Sequence, residues 1–398
     1  MRPLSLSTWT IAFFISAVLF SHTVALRLLL LLLSLGLVIA AIAKDRASIR
    51  ILPPVWIPFA LWAAWAGLSL TWSFEPQRSL KEFQNEIGYA ALAFWVCYVG
   101  AQSRNAARVI LPVVAAAAVL VCLVALYYYP QGLERYSEGW HGGPQNLSSA
   151  LLTMMPCVLT AGWYGRRTGW RRLELLSLGV AALLFIGAYT TLNRTIWFGF
   201  VGQLLLLGAL LAVRGRSSLG PRVKVMGAAL AILVVISGAV VTSRIQAERE
   251  AADPDAALAK DPRLTLWPEV LEHINARPLT GYGFGRGILR QSLSGDLKRP
   301  LQWHAHNLFL DTLLQVGIPG LLLLLLLLGA TLREGWRMMR VPDDLSVACG
   351  LAVIGVVAGM VVRNMTDTLW VRQNALLYWG VLGVLFALAR RPAARAGP

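Results

Sequence analysis

Long apolar stretches broken by short polar ones run the length of the chain. Twelve of them, at approximately 8–22, 26–43, 55–72, 87–102, 108–128, 147–164, 174–192, 195–213, 223–243, 317–332, 345–362 and 374–389, approach the length of a membrane span. A helix needs roughly 20 apolar residues to cross a hydrocarbon core of about 30 Å. The pattern therefore predicts an all-α polytopic membrane protein with about twelve transmembrane helices. The seventh and eighth spans are separated by Asn193 and Arg194 alone, and no internal repeat is evident. One long polar segment, 244–316, divides the chain. Nine spans with short loops fill 1–243, and three spans with a polar tail fill 317–398.

Composition supports this division. Of 398 residues, 57% are hydrophobic and 14% charged, against roughly 25% charged in a soluble domain. No A-x-A site follows Met1–Phe20, so that region is expected to be a retained span. Cys97, Cys122, Cys157 and Cys349 fall in apolar runs with no metal-like spacing and read as packing residues.

Charge sets the expected orientation. With a cytoplasmic N-terminus, the inner loops receive twenty of the 36 Lys and Arg residues and five of the 20 acids. Basic residues in short loops hold the cytoplasmic side, so both termini are expected there and 244–316 forms one long loop on the outer face. The net charge of +16 is thus spread among insertion loops, which argues against a nucleic-acid partner.

That orientation gathers the polar residues of interest on the outer face. Segment 244–316 begins acidic and alanine-rich, then reads as an amphipathic helix over Leu264–Asn275, with Leu264, Trp267, Val270, Leu271 and Ile274 on one face and Pro268 near its start. Pro278 stops it, and the glycine-rich run 281–287 makes a loop. No strand precedes that run, so it is no dinucleotide fingerprint. Next come His304, His306 and Asn307, with Gly317 and Gly320 behind them. A lone loop histidine reads as solvated, but here a short helix would place His306 at its start, on the membrane boundary. Histidine, with an ordinary pKa near 6.5, suits proton abstraction from a sugar hydroxyl at neutral pH. Asp311 lies further round that helix, so no direct His–Asp pair is obvious from spacing.

Two readings fit each remaining candidate. Arg194 either snorkels to the headgroups or holds a phosphate through its fixed bidentate donors. Arg263 either pairs at the surface with Asp261 or serves the same anion. Asp367, with Arg363 and Arg372 close in sequence, either forms an ion pair or orients a base. Asp253-Pro254-Asp255 has the D-x-D spacing of metal-holding transferases, but it sits in an alanine-rich stretch on the side where nucleotide sugars are absent. No metal site and no cofactor are expected.

The pattern HN-x9-G-x-x-G at His306, Asn307, Gly317 and Gly320 resembles the signature of the bacterial O-antigen ligases. So do the order of parts and the run R-x3-W…P-L-x-G-x-G-x-G at Arg263, Trp267, Pro278, Gly281, Gly283 and Gly285. The resemblance implies a fold like that of the family C glycosyltransferases and a metal-independent, inverting transfer. The donor would be a polysaccharide on undecaprenyl diphosphate and the acceptor lipid A–core, at the periplasmic face of the bacterial inner membrane. His306 would match the essential histidine and Arg194 and Arg263 the two diphosphate-binding arginines, with His304, Asn307 and Asp367 in support. A monomer among membrane lipids is expected. O-antigen polymerases and protein O-oligosaccharyltransferases share these features, although the short tail Arg390–Pro398 leaves no room for an added acceptor domain. A transporter or flippase would place its charges near the middle of the spans, where this sequence has almost none.

Overall fold

The computed structural model describes residues 3–103, 105–191, 193–214, 262–287, 304–368 and 372–389. Among them the chain is helical throughout, with no strand: α1 Pro3–Val18, α2 Val24–Lys44, α3 Trp56–Leu68, α4 Pro76–Phe83, α5 Tyr89–Gly100, α6 Ala106–Tyr128, α7 Leu133–Glu138, α8 Gly143–Arg167, α9 Arg171–Thr190, α10 Arg194–Val213, α11 Pro262–Ala276, α12 Leu308–Met339, α13 Asp344–Asn364 and α14 Arg372–Ala389. Eleven of the twelve expected spans coincide with helices, while 223–243 lies outside the described residues. Among the described residues, seven helices are long and apolar enough to cross a membrane, including α2, α6, α8, α9, α12 and α13. The chain is a multi-pass membrane protein.

Burial follows the logic of a bilayer. Leu29, Leu32, Leu176, Phe198 and Leu322 stand exposed on the outer faces of spans, where lipid replaces water as their surroundings. Inside, polar side chains tie helices together: Gln203 on α10 donates to the carbonyls of Leu152 on α8 at 2.8 Å and Gly355 on α13 at 3.0 Å. Such bonds and close backbone contacts hold helices together where hydrophobic burial gives no net drive. The free cysteines are buried, Cys157 partly so, as packing residues should be.

Loop contacts sort the bundle into two ends. At one end Ser21 N–H donates to the Trp140 carbonyl (2.7 Å) and Phe74 N–H to the Tyr282 carbonyl (3.1 Å). At the other, Arg50 pairs with Gln102 and Arg167 with Asp344 at 3.7 Å. All the site residues described below belong to the first end.

Two local departures from the sequence pattern matter there. The tenth span begins nine residues earlier than its apolar run, because Asn307 caps α12: its side-chain oxygen accepts from Phe309 N–H (2.9 Å) and Leu310 N–H (3.2 Å). Gly317-Ile318-Pro319-Gly320, whose glycines and proline read as a turn in sequence, is instead a kink within α12, where Gly317 takes φ 67° and ψ −172°. The break frees the carbonyls of the preceding turn, and each finds a donor. Leu314 accepts from Tyr282 N–H (3.0 Å), Gln315 from Gly283 N–H (2.9 Å) and Val316 from the Trp65 indole (2.8 Å). Gly281, at φ 61°, lets the loop come this close. The glycine-rich run is thus a strap across the kink, and this accounts for the glycines at 281, 283 and 317 together.

Helix α11 starts at Pro262, which places Pro268 inside it rather than near its start. It buries Leu266, Val270 and Ile274 against Tyr282, Ala305 and Leu314. Leu271, expected on the apolar face, is exposed, since the partner surface lies on the side of Leu266.

Near the same end His141 is 1% exposed and packs 4.3 Å from the Tyr136 ring, and neither ring nitrogen has a hydrogen-bond partner among the described residues. Burial lowers its pKa to about 4, below the ordinary 6.5. The fold therefore holds the neutral ring, and its stability contribution is present above pH 6.5 and lost as pH falls from 6.5 through 4. The melting temperature in detergent is expected to drop between pH 7 and pH 4.5, and to drop less in His141→Phe. An equal drop in both would remove His141 as the cause.

Candidate active site

Two loops meet at the first end of the bundle. One, His304–Asn307, leads into α12; the other, Met365–Thr368, leaves α13. Asp311, one turn into α12 and 1% exposed, holds them together. Its Oδ1 accepts from Ala305 N–H at 2.7 Å, and its Oδ2 accepts from the Thr368 hydroxyl. Asn307 adds a second tie, donating to the Met365 carbonyl at 3.0 Å. A third comes from the Trp267 indole of α11, which donates to the Ala305 carbonyl at 3.0 Å.

Asp367 is the centre of what these loops bring together. Its Oδ1 lies 3.3 Å from His304 Nε2, 3.4 Å from His306 Nδ1 and 3.7 Å from Arg286 Nη2, and it accepts from Thr368 N–H at 2.8 Å. Its Oδ2 lies 3.9 Å from Arg363 Nη2. Burial pushes the carboxyl pKa up, but the two histidines, Arg363 and the Thr368 amide outweigh it and hold the group ionised, well below the usual carboxylate range.

The two histidines are not equivalent. Their rings sit 3.8 Å apart, but the His304 side chain is 2% exposed and that of His306 25%. His304 also meets Arg286 Nη2 at 2.8 Å, and burial lowers its pKa despite the bond to Asp367. His306 stands at the open side with a backbone φ of 49°. For a residue other than glycine this left-handed conformation is costly, and such strain collects at functional sites.

The arginines divide. Arg263, near the start of α11, is half-buried and acts electrostatically on Arg363. Arg363 is 2% exposed and donates from Nε to the Ser148 hydroxyl at 3.1 Å. The backbone of Arg194 opens α10 with Asn193 as its cap; its side chain, like Asp253 and Asp255, lies outside the described residues. Arg372, close to Asp367 in sequence, pairs instead with Glu82 at 3.5 Å.

Sequence reasoning had His306, His304, Asn307 and Asp367, and named Arg363 as an ion-pair partner of Asp367, a pair the structure contains at 3.9 Å; it missed Arg286 and Asp311. Arg286 sits within the glycine-rich run, where its charge was the available signal. Asp311 was set aside because helical spacing turns it from His306; the structure puts it on the loop backbone instead.

His304, His306 and Asp367 offer ligand atoms within 4.8 Å of one another, a spacing that could hold a divalent cation. Two guanidiniums already face the same carboxylate and would repel such an ion.

Residues 179–325 match the family model described as O-Antigen ligase. Over these residues the chain is similar to the O-antigen ligase family. The matched segment takes in α10, α11, the strap, both histidines and the Gly317 kink, and leaves Arg363 and Asp367 outside it. The chain is also similar to a protein of Rickettsia prowazekii (strain Madrid E) named "Putative polysaccharide ligase RP358". The two are 26% identical over 205 residues, 50% of this chain and 44% of that protein. The chain therefore aligns with less than half of its relative's length.

Proposed function

We propose that the chain is a glycosyltransferase that moves a polysaccharide from undecaprenyl diphosphate to lipid A–core at the periplasmic face of the bacterial inner membrane, completing lipopolysaccharide. The observation that carries this reading is the His306–Asp367 pair with guanidiniums around it, to which the segment matching the O-antigen ligase model contributes His306 and Arg286. In the proposed step the acceptor oxygen attacks the anomeric carbon and the bond to the diphosphate breaks. The proton passes to His306, and the electron pair leaves with the diphosphate. Inversion follows from a single displacement. Asp367, kept ionised, holds Nδ1 of His306 and stabilises the imidazolium as the ring takes the proton on Nε2. Arg263 and Arg194 would meet the charge developing on the diphosphate. Arg286 and Arg363 hold the Asp367 loop in place and keep the site electropositive.

The deciding experiment uses the purified chain in detergent with an undecaprenyl-diphosphate glycan and three acceptors in parallel: lipid A–core, a second undecaprenyl-linked glycan, and a protein that exposes serine and threonine hydroxyls. Transfer to lipid A–core is expected. Transfer only to the glycan or the protein would make this a polymerase or an oligosaccharyltransferase. No transfer to any acceptor would sink the enzymatic reading, and transfer without a sealed compartment would rule out pure transport. Excess EDTA in that assay is expected to leave the rate unchanged within about twofold, because arginines already supply the positive charge. Loss of activity with EDTA and recovery with magnesium would turn the His304–His306–Asp367 group into a metal centre.

A further inference from the structure

Beside Arg286 the bundle opens into a cavity of about 890 Å³ between α1, α2, α4 and α14. One wall is apolar, formed by Phe14, Leu28 and Leu31. The rest carries Arg27, Arg78, Lys81, Arg286 and Arg372, opposed by Glu82 and Glu86. Most of these charges are committed. Arg78 pairs with Glu75 at 3.5 Å, Arg372 with Glu82 at 3.5 Å, and Arg286 with Asp367 at 3.7 Å. Glu86 shares a hydrogen bond with Glu82. Burial first, and then the Glu82 charge, raises its pKa well above the ordinary value, so the pair opposes the cations with less than its full charge.

Arg27 stands apart. It is 7% exposed, in the first turn of α2, and faces the cavity. Its Nη1 donates to the neutral Gln373 Oε1 at 3.2 Å, and its Nε has no hydrogen-bond partner. No carboxylate pairs with it among the described residues. A buried guanidinium without a counter-charge is costly and is retained where a ligand supplies the anion.

We infer that this cavity is a binding site for a phosphate-bearing lipid: Arg27, with Lys81 at the rim, takes the phosphate, and the Phe14–Leu28–Leu31 wall takes the adjoining hydrocarbon. The cavity shares Arg286 with the Asp367 cluster, so a headgroup held there reaches the reacting end of the molecule. The inference rests on the reading of the chain as an enzyme of lipid-linked substrates, and it adds where one of them docks. Two substrates carry this chemistry, the isoprenoid diphosphate donor and a phosphorylated glycolipid acceptor.

Binding without turnover tests it. The full-length protein in phosphatidylcholine nanodiscs is titrated with farnesyl diphosphate, with a bis-phosphorylated, acylated glucosamine disaccharide, and with inorganic pyrophosphate. The wild type is expected to bind at least one lipid, and Arg27→Gln to weaken that lipid about tenfold, with Arg27→Lys recovering part of it. Leu28→Trp, which fills the apolar wall, is expected to weaken the lipid and spare pyrophosphate. The lipid that responds identifies the source. Equal affinities in the wild type and a folded Arg27→Gln overturn the proposal, as does a wild type that binds neither lipid. Where Arg27→Gln does not fold, the exposed Lys81→Gln decides in its place: weakened lipid binding supports the site, and unchanged binding overturns it. No glycan transfer enters these measurements, so a protein that transfers nothing can still pass them and one that transfers can still fail.

Discussion

His306→Asn is expected to lower glycan transfer about 10³-fold while the protein inserts and melts as the wild type does. The size follows from the usual 10²–10⁴-fold contribution of a positioned general base. Asparagine is the informative substitution because the backbone at this residue has φ 49°, which asparagine tolerates better than alanine does. Stability and chemistry are then separated: His306→Ala adds backbone strain to the loss of the ring, and His306→Asn removes only the ring. The companion variant His304→Asn is expected to cost less, since that ring is buried against Arg286 and Asp367 and acts through them. The measurement is initial rate in the purified transfer assay, with melting temperature as the control. Retention of more than a tenth of the wild-type rate in a folded His306→Asn would remove it as the base.

The second large effect is structural. Gly317→Ala is expected to destabilise the protein by about 2–6 kcal/mol, combining roughly 1–3 for an alanine held at φ 67° and ψ −172°, a backbone region nearly confined to glycine, with roughly 1–3 for overpacking. An added Cβ there would run into the Leu279 carbonyl in a strap that cannot give, because it already bonds the kink from both sides. The Ile318 N–H to Pro278 carbonyl bond, 2.7 Å, is the contact most directly spread. Melting temperature and transfer rate should fall together. By contrast, Gly329→Ala, further along the same helix with open space around it, should be neutral. A Gly317→Ala protein that melts as the wild type does would mean the strap yields and the kink is not fixed by it.

These two residues also show what the sequence made legible. Apolar runs located the eleven expected spans that fall among the described residues, because span length is set by the bilayer and leaves a strong signal, whereas the short helices α4 and α7 carry no such run and were not foreseen. The histidines were legible because polar residues at the edge of an apolar run have few structural reasons to be there. Asp367 was only a candidate: it comes 63 residues after His304, and no local spacing tells which loop returns to the same end of the bundle beside it. Asp311 was misjudged for a related reason, since helix geometry relates side chains to one another and says nothing about a carboxylate reaching back to a loop amide. The kink at Gly317 reads as a turn in sequence because glycine and proline signal both. Only the donors arriving from Tyr282, Gly283 and Trp65 let the helix continue through it.

The loop contributions to the Asp367 cluster also impose an order in time. Synthesis runs from the N-terminus, so Arg263, Arg286 and both histidines emerge first, and the carboxylate that joins them is made only at the close of α13. Until that helix is inserted beside α12, Asp311 has no Thr368 to hold and His306 has no acid to orient its ring. On the proposed function, a nascent chain would therefore be inert towards reactive lipid-linked sugars in the membrane it is entering and would become competent only once its helices are in place.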